Sequence, residues 1–189
     1  MEVKMIFDIE MEKLNNDIKL EKQISIKRDV IDENSLDIVP ILLTEDFLLA
    51  HYVYDFLVDG YKAIAMKGIT RIRRDDIEEY HSSILRKEGI IHKENNIARD
   101  EIKNWETFFR FLKNEKLIVD ISLEKPENDS FFVGMITKVG KDSLKILEIN
   151  PLGRWKEESK KICYSDITLV SFGNNYSKMM LKYSEKMKR

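Results

Sequence analysis

Two stretches of this chain read alike, and that repetition limits what it can fold into more than any other feature. Ile69-Thr70-Arg71-Ile72 runs into a segment with Tyr80, Ile84 and Leu85, and Ile167-Thr168-Leu169-Val170 runs into one with Tyr176, Met180 and Leu181. Each is preceded by alternating apolar runs and by a glycine near an aromatic, Gly60-Tyr61 in one case and Gly153-Arg154-Trp155 in the other. Period-two alternation marks half-buried strands, and a 3.6-residue period marks helices. One small β-rich unit ending in a helix therefore occurs twice. The stretch from the glycine to the Ile-Thr pair is longer in the second copy, and the surplus, Lys156 to Lys160, reads as an insertion in a charged loop.

The strand pattern fills most of both copies. In the first, Gln23 to Ile31, Leu36 to Leu43, Phe47 to Val58, Tyr61 to Met66 and Ile69 to Ile72 are apolar or alternating, with turn signals at Thr44-Glu45-Asp46, Asp59-Gly60 and Lys67-Gly68. Pro40 inside the second run calls for an edge position or a bulge, because proline donates no ladder hydrogen bond. Asp75 to Glu88 carries Ile77, Tyr80, Ile84 and Leu85 on one helical stripe, and Gly89 is placed to end that helix. In the second copy, a helix over Arg99 to Asn114 precedes Leu117 to Leu123, Phe131 to Val139, Ser143 to Ile149, Lys161 to Tyr164 and Ile167 to Phe172. A closing helix follows with Tyr176, Met179, Met180, Tyr183 and Met187, whose methionines read as core filler.

With 189 residues, 43% hydrophobic and 35% charged, the chain has enough apolar surface to fold as one large or two small domains. The net charge of −2 gives no global pull towards a polyanion, yet the halves differ. Residues 1–95 hold 14 basic and 20 acidic side chains, a balance of −6, and residues 96–189 hold 18 and 14, a balance of +4. Cys163 is the only cysteine, so no intrachain disulfide forms, and a reducing compartment is expected. The N-terminus lacks the apolar run of a signal peptide, and no stretch reaches the ~18 apolar residues of a membrane span. A cytoplasmic protein with no membrane partner is the expectation.

Around five short antiparallel strands to a unit resemble the small SH3-like and Sm-like barrels, and Gly134-Met135-Ile136 in the second strand after a helix is closest to the Sm-like pattern. The segments Arg28 to Leu36 and Tyr164 to Gly173 are also similar to a group of uncharacterised bacterial proteins of about this length, a resemblance that covers most of the chain after residue 23 and implies no activity. The expected fold is mainly β with helices (α+β): two tandem five-stranded Sm-like or SH3-like barrels, each followed by a C-terminal helix. The first occupies 1–90, a polar linker 91–98, and the Trp105 helix with the second barrel 99–189. RNA-binding Sm proteins carry an Asp-x-Met-Asn-like loop and an Arg-Gly dipeptide. The corresponding loops here, Lys138 to Asp142 and Lys160 to Tyr164, carry neither.

The residues point to binding rather than to catalysis. No phosphate-binding glycine loop or nucleophile elbow is present, His51, His81 and His92 are scattered, and Cys163 in an Ile-Cys-Tyr strand reads as a small buried apolar group. Asp29, Asp32, Glu33 and Asp37 lack the order of a calcium loop and read as turn and edge carboxylates. No metal or cofactor is expected. The expected function is a non-enzymatic protein-interaction or scaffold module, with an unknown protein or a second copy as partner and Trp155, Lys178 and Lys182 as partner-binding residues. The alternative is RNA or single-stranded nucleic-acid binding through Arg71, Arg73, Arg74, Lys67 and Tyr61 together with the basic second half, set against pairing of those arginines with Asp75, Asp76, Glu78 and Glu79.

Overall fold

The computed structural model describes residues 2–29, 31–91, 97, 99–124 and 130–185, with side chains from Glu10 onward. Most of the expected linker 91–98, with His92, lies outside the described residues, as do residues 125–129 and the terminal Lys186, Met187, Lys188 and Arg189.

The first half runs α1 (Glu2–Leu20), β1 (Ile24–Arg28), β2 (Asp32–Leu43), β3 (Phe47–Tyr54), β4 (Leu57–Ala65), a 3-10 turn (Met66–Gly68), β5 (Arg71–Arg73) and α2 (Asp76–Lys87). Pro40 sits in β2 where the register with β3 shifts, so its missing N–H falls at a bulge. The turn expected at Asp59-Gly60 is instead the interior of β4. The chain reverses at Asp55-Phe56, both at positive φ (46° and 62°), which is the backbone of a two-residue hairpin turn. Gly60 (φ +73°) is needed within β4 because a Cβ there would stand 2.5 Å from the Asn174 amide nitrogen. The Asp75 and Glu78 side chains form a reciprocal cap at the start of α2, and Gly89 (φ +61°) follows its end.

The second half runs α3 (Trp105–Asn114), β6 (Ile118–Leu123), β7 (Ser130–Val139), β8 (Ser143–Ile149), β9 (Trp155–Cys163), a 3-10 turn (Tyr164–Asp166), β10 (Leu169–Phe172) and α4 (Asn175–Tyr183). Asn104 and Thr107 cap α3 reciprocally, which fixes its start at Trp105 rather than at the expected Arg99. Lys156 to Lys160 is not a loop insertion but the middle of β9. Ile162 opposes Leu144 just as Ile64 opposes Leu48, and the extra length of this hairpin lies in the turn around Asn150 to Arg154.

Two tandem closed barrels do not form. The strands make one open antiparallel ten-stranded sheet in the order β5-β1-β2-β3-β4-β10-β6-β7-β8-β9. The physical reason is the partner taken by β4: its outer edge bonds to β10 of the other half, Ala63 opposite Val170 and Tyr61 opposite Phe172, and not to β5. The repetition in the sequence is nonetheless structural. Each half contributes its own fifth, first, second, third and fourth strands in that order. The Thr70 amide donates to the Lys27 carbonyl (2.9 Å) and its hydroxyl accepts from the Asp29 amide (3.0 Å). The Thr168 amide donates to the Ser122 carbonyl (3.1 Å) and its hydroxyl accepts from the Glu124 amide (3.2 Å). Likewise Met66 N–H bonds the Asp46 carbonyl and Tyr164 N–H bonds the Asp142 carbonyl, both at 3.0 Å.

Both faces of the sheet are buried at its centre, which explains the unbroken apolar run in β3. Phe47 and Leu49 face a core with Trp105, Phe108 and Phe109 of α3, whereas Leu48 and Ala50 face a core with Leu14 of α1. The α3 core also takes Ala63 and Ala65 of β4 with Val170 and Phe172 of β10, so it spans both halves. The sheet is curled enough to bring β1 to the end of β6: buried Arg28 donates to both Glu124 carboxylate oxygens, at 2.5 and 3.1 Å. Among the described residues, no helix is long and apolar enough to cross a membrane.

Candidate interaction surface

The residues of the nucleic-acid reading do not come together. Arg71 and Arg73 lie on β5 at one end of the sheet. Tyr61 lies on β4, with β1, β2 and β3 in between, and stacks on Phe172 at 4.9 Å. Arg73 donates twice to the buried Glu78 carboxylate (2.8 and 2.6 Å), and Arg74 donates to Asp17 (2.7 Å) and Glu10 (3.0 Å) of α1. Glu78 matches the expected intramolecular pairing, whereas the α1 carboxylates were not foreseen. Lys67 donates from Nζ to the Ser165 carbonyl of the other half's turn. Only Arg71 of the three arginines has its charge directed to solvent alone among the described ion pairs, which is a poor start for holding a phosphate backbone.

That Lys67 contact crosses a cleft of about 650 Å³, where corresponding turns of the two halves converge with the start of α3. Glu45, Asp46, Glu106 and Asp142 outnumber Lys67 and Lys141 along it, so its potential repels a polyanion. Several of its polar groups already have structural partners. Asp46 accepts from the Trp105 amide at 3.0 Å, at the positive end of α3. The Tyr164 hydroxyl, pushed up to about 12 by burial and then by Glu106, donates to the Gly140 carbonyl at 2.8 Å. Cys163 is exposed on the rim, not buried as its sequence context suggests, and among the described residues no histidine lines the cleft to activate it. Two acidic residues of the β1–β2 region act as turn groups, Asp32 accepting from the Asn34 amide at 2.9 Å and Asp29 from the Thr70 hydroxyl at 2.8 Å, whereas Asp37 lies inside β2 opposite Ser25.

The helix α4 presents a different surface. Its first turn is fixed to the sheet: Asn174 donates to Asp120 (2.8 Å) and accepts from the Ser177 amide (2.7 Å), while Asp59 accepts from the Asn175 amide (2.8 Å). Its far end is fixed by the Trp155 indole, which donates to the Glu185 carbonyl at 3.0 Å, and by the Glu185 amide on the Gly153 carbonyl at 2.9 Å. Met180 packs with Trp155 on Ile118, Val133 and Ile149. The other described residues of the expected core stripe do not pack. Tyr176 and Met179 are 46% and 45% exposed and Tyr183 is 73% exposed, at i, i+3 and i+7. Leu152, 75% exposed, sits just before the glycine that abuts Tyr183 and Ser184. Exposed Lys178 and Lys182 continue the surface round the helix, and Lys182 Nζ stands 5.2 Å from the Tyr183 ring centre. The sequence signal for this face was the stripe itself. Nothing local marked it as solvent-facing, because what sits under a helix is a tertiary fact.

Beneath the start of α4 lies a half-buried polar pair. Burial raises the Asp120 carboxyl above the ordinary aspartate range, against the opposing effects of Asn174, Lys62 and Ser177, and burial lowers the Lys62 ammonium, which bonds the Ser171 hydroxyl at 3.2 Å. A carboxyl with a raised folded value binds its proton more tightly in the folded chain than in the unfolded one. Its stabilising share is present at low pH and is lost as pH rises from the ordinary aspartate value through the raised one. Asp120→Asn is therefore expected to remove a fall in stability across that window, read as a difference between the urea midpoints of the two proteins that shifts steadily in favour of the variant from about pH 3 to about pH 7.

In comparisons with known proteins, no family model, no curated protein and no solved structure matches this chain.

Proposed function

We propose that the chain is a non-enzymatic, cytoplasmic protein-interaction module that binds an acidic amphipathic helix of a partner protein on the exposed face of α4. The observation that carries the reading is the fixed, nine-residue helix that shows Tyr176, Met179 and Tyr183 to solvent instead of packing them. Tyrosine and methionine side chains in a rigid setting are typical anchors of protein interfaces, and an exposed apolar stripe costs solubility unless something covers it. Lys178 and Lys182 beside the stripe, in the half with the +4 balance, favour a partner segment with acidic flanks. Trp155 acts in this reading as the support beneath the helix rather than as a contact. The acidic cleft and the internally paired arginines are the reasons for preferring a protein partner to RNA.

A photo-crosslinking residue at Met179 tests this in the native cell. The expected product joins α4 to an acidic helical segment of one protein, and it is lost in both Tyr176→Ser/Tyr183→Ser and Lys178→Glu/Lys182→Glu variants that keep the native circular dichroism. Crosslinks to RNA or lipid, or to a partner segment without acidic flanks, contradict it.

A further inference from the structure

The internal junction supplies a template for what its outer edges fit. At β4 and β10 the facing residues are Ile64 with Leu169, Ala63 with Val170, Lys62 with Ser171 and Tyr61 with Phe172. All are apolar or small except Lys62, whose ammonium bonds Ser171. In the repeat, β5 corresponds to β10 and β9 to β4, and these two strands are the free edges of the sheet. The matched threonine bonds set Arg71, Ile72, Arg73 and Arg74 in the places of Leu169, Val170, Ser171 and Phe172. The matched bonds of Met66 and Tyr164 set Ser159, Lys160, Lys161 and Ile162 in the places of Tyr61, Lys62, Ala63 and Ile64.

We infer that β5 and β9 are the two matched ends of a head-to-tail contact between copies of this chain, and that basic side chains at both ends keep the copies apart. Laying β9 of one copy on β5 of another in the register of the internal junction puts Arg73 opposite Lys160 and Ile72 opposite Lys161, with Arg71 diagonal to Lys160 on the same face. Like charges directly across a strand pair are destabilising, and charged residues on a short edge strand are a common guard against edge pairing. Glu78 holds Arg73 by two bonds, so that side chain stays at the edge rather than swinging clear. The inner edges, with Lys62 opposite Ser171, bring no like charges together, whereas the outer edges would. A heterologous contact of this kind does not close after one addition, so without the guards copies would add on to rings or filaments. Charge therefore keeps the strand order of the sheet from running on into a second copy.

The contact is separate from the α4 face, so either proposal can fail without the other. The unmutated 189-residue chain is expected to show one mass of 22.4 kDa by light scattering at every concentration. The variant Arg71→Leu/Arg73→Ser/Lys161→Ala, which places the inner-junction residues at the outer edges, is expected to at least double that mass as concentration rises. Lys160→Glu, which leaves β5 intact and faces Arg73 with a carboxylate, is expected to associate at low salt and dissociate at high salt. A native chain that assembles through β5 and β9 overturns the inference. So does a pair of folded variants, by circular dichroism, that both remain monomeric.

Discussion

Replacement of Phe108 by alanine is expected to lower the free energy of unfolding by about 3–5 kcal/mol, the range for truncating a fully buried aromatic. The ring is fully buried, and it lies 5.0 Å from the Phe47 ring of the first half and 5.7 Å from Phe172 of the second. Such contacts add to the burial of apolar area, and the void left by alanine would open between strands of both halves. Because one core serves both halves, a single cooperative transition should shift as a whole in urea rather than split. An unchanged midpoint, or loss of only one half's signal with the other retained, would show that Phe108 does not join them.

Glu124→Ala is expected to cost about 3–5 kcal/mol, for a different reason. Arg28 is 2% exposed, and Glu124 receives both of its terminal nitrogens as well as lying 2.6 Å from the Thr168 hydroxyl. Removing the carboxylate leaves a guanidinium in the interior with, among the described residues, only Asp32 at 3.7 Å to balance it. The loss is one of desolvation without compensation, so the paired replacement Arg28→Met/Glu124→Leu should recover most of it. Urea unfolding of the two singles and the double gives the coupling directly. If Glu124→Ala costs less than about 1 kcal/mol, or if the double is worse than the single, the buried pair does not have this role.

Strand content was legible where alternation is local. β7 and β8 run from Ser130 to Val139 and from Ser143 to Ile149, as the alternation of Phe131 to Val139 and Ser143 to Ile149 suggests. Three features were not legible, each for a physical reason. Asp59-Gly60 has turn chemistry, yet the glycine serves a close approach to α4, and the turn is made by Asp55-Phe56, a pair without a strong turn signature. β9 has no apolar alternation over Lys156 to Lys161 because it is an edge strand whose charges face solvent, so it read as a loop. α1 buries Leu14 together with Asp17, an aspartate that pairs with Arg74, so the described part of its buried face, from Glu10 onward, carries no clean hydrophobic stripe. The closure into barrels failed for a more general reason. Alternation says which side chains are buried, but the edge of β4 finds its partner more than a hundred residues away in β10, and no local pattern encodes that choice.

The candidate surface was legible in part. Lys178, Lys182 and Trp155 do gather at α4, and the stripe of Tyr176, Met179 and Tyr183 was visible as helical spacing. Its exposure was not visible, because it follows from how the capping bonds to Asp120 and Asp59 turn the helix on the sheet.

The central claim is that two equivalent halves share one sheet through β4 and β10. Nuclear Overhauser contacts across the strands test it most directly. The structure predicts backbone contacts between Ala63 and Val170 and between Tyr61 and Phe172, with protected amides along β10. Contacts from β4 to Arg71, Ile72 or Arg73 of β5 in their place would mean that each half closes on itself, and would contradict it.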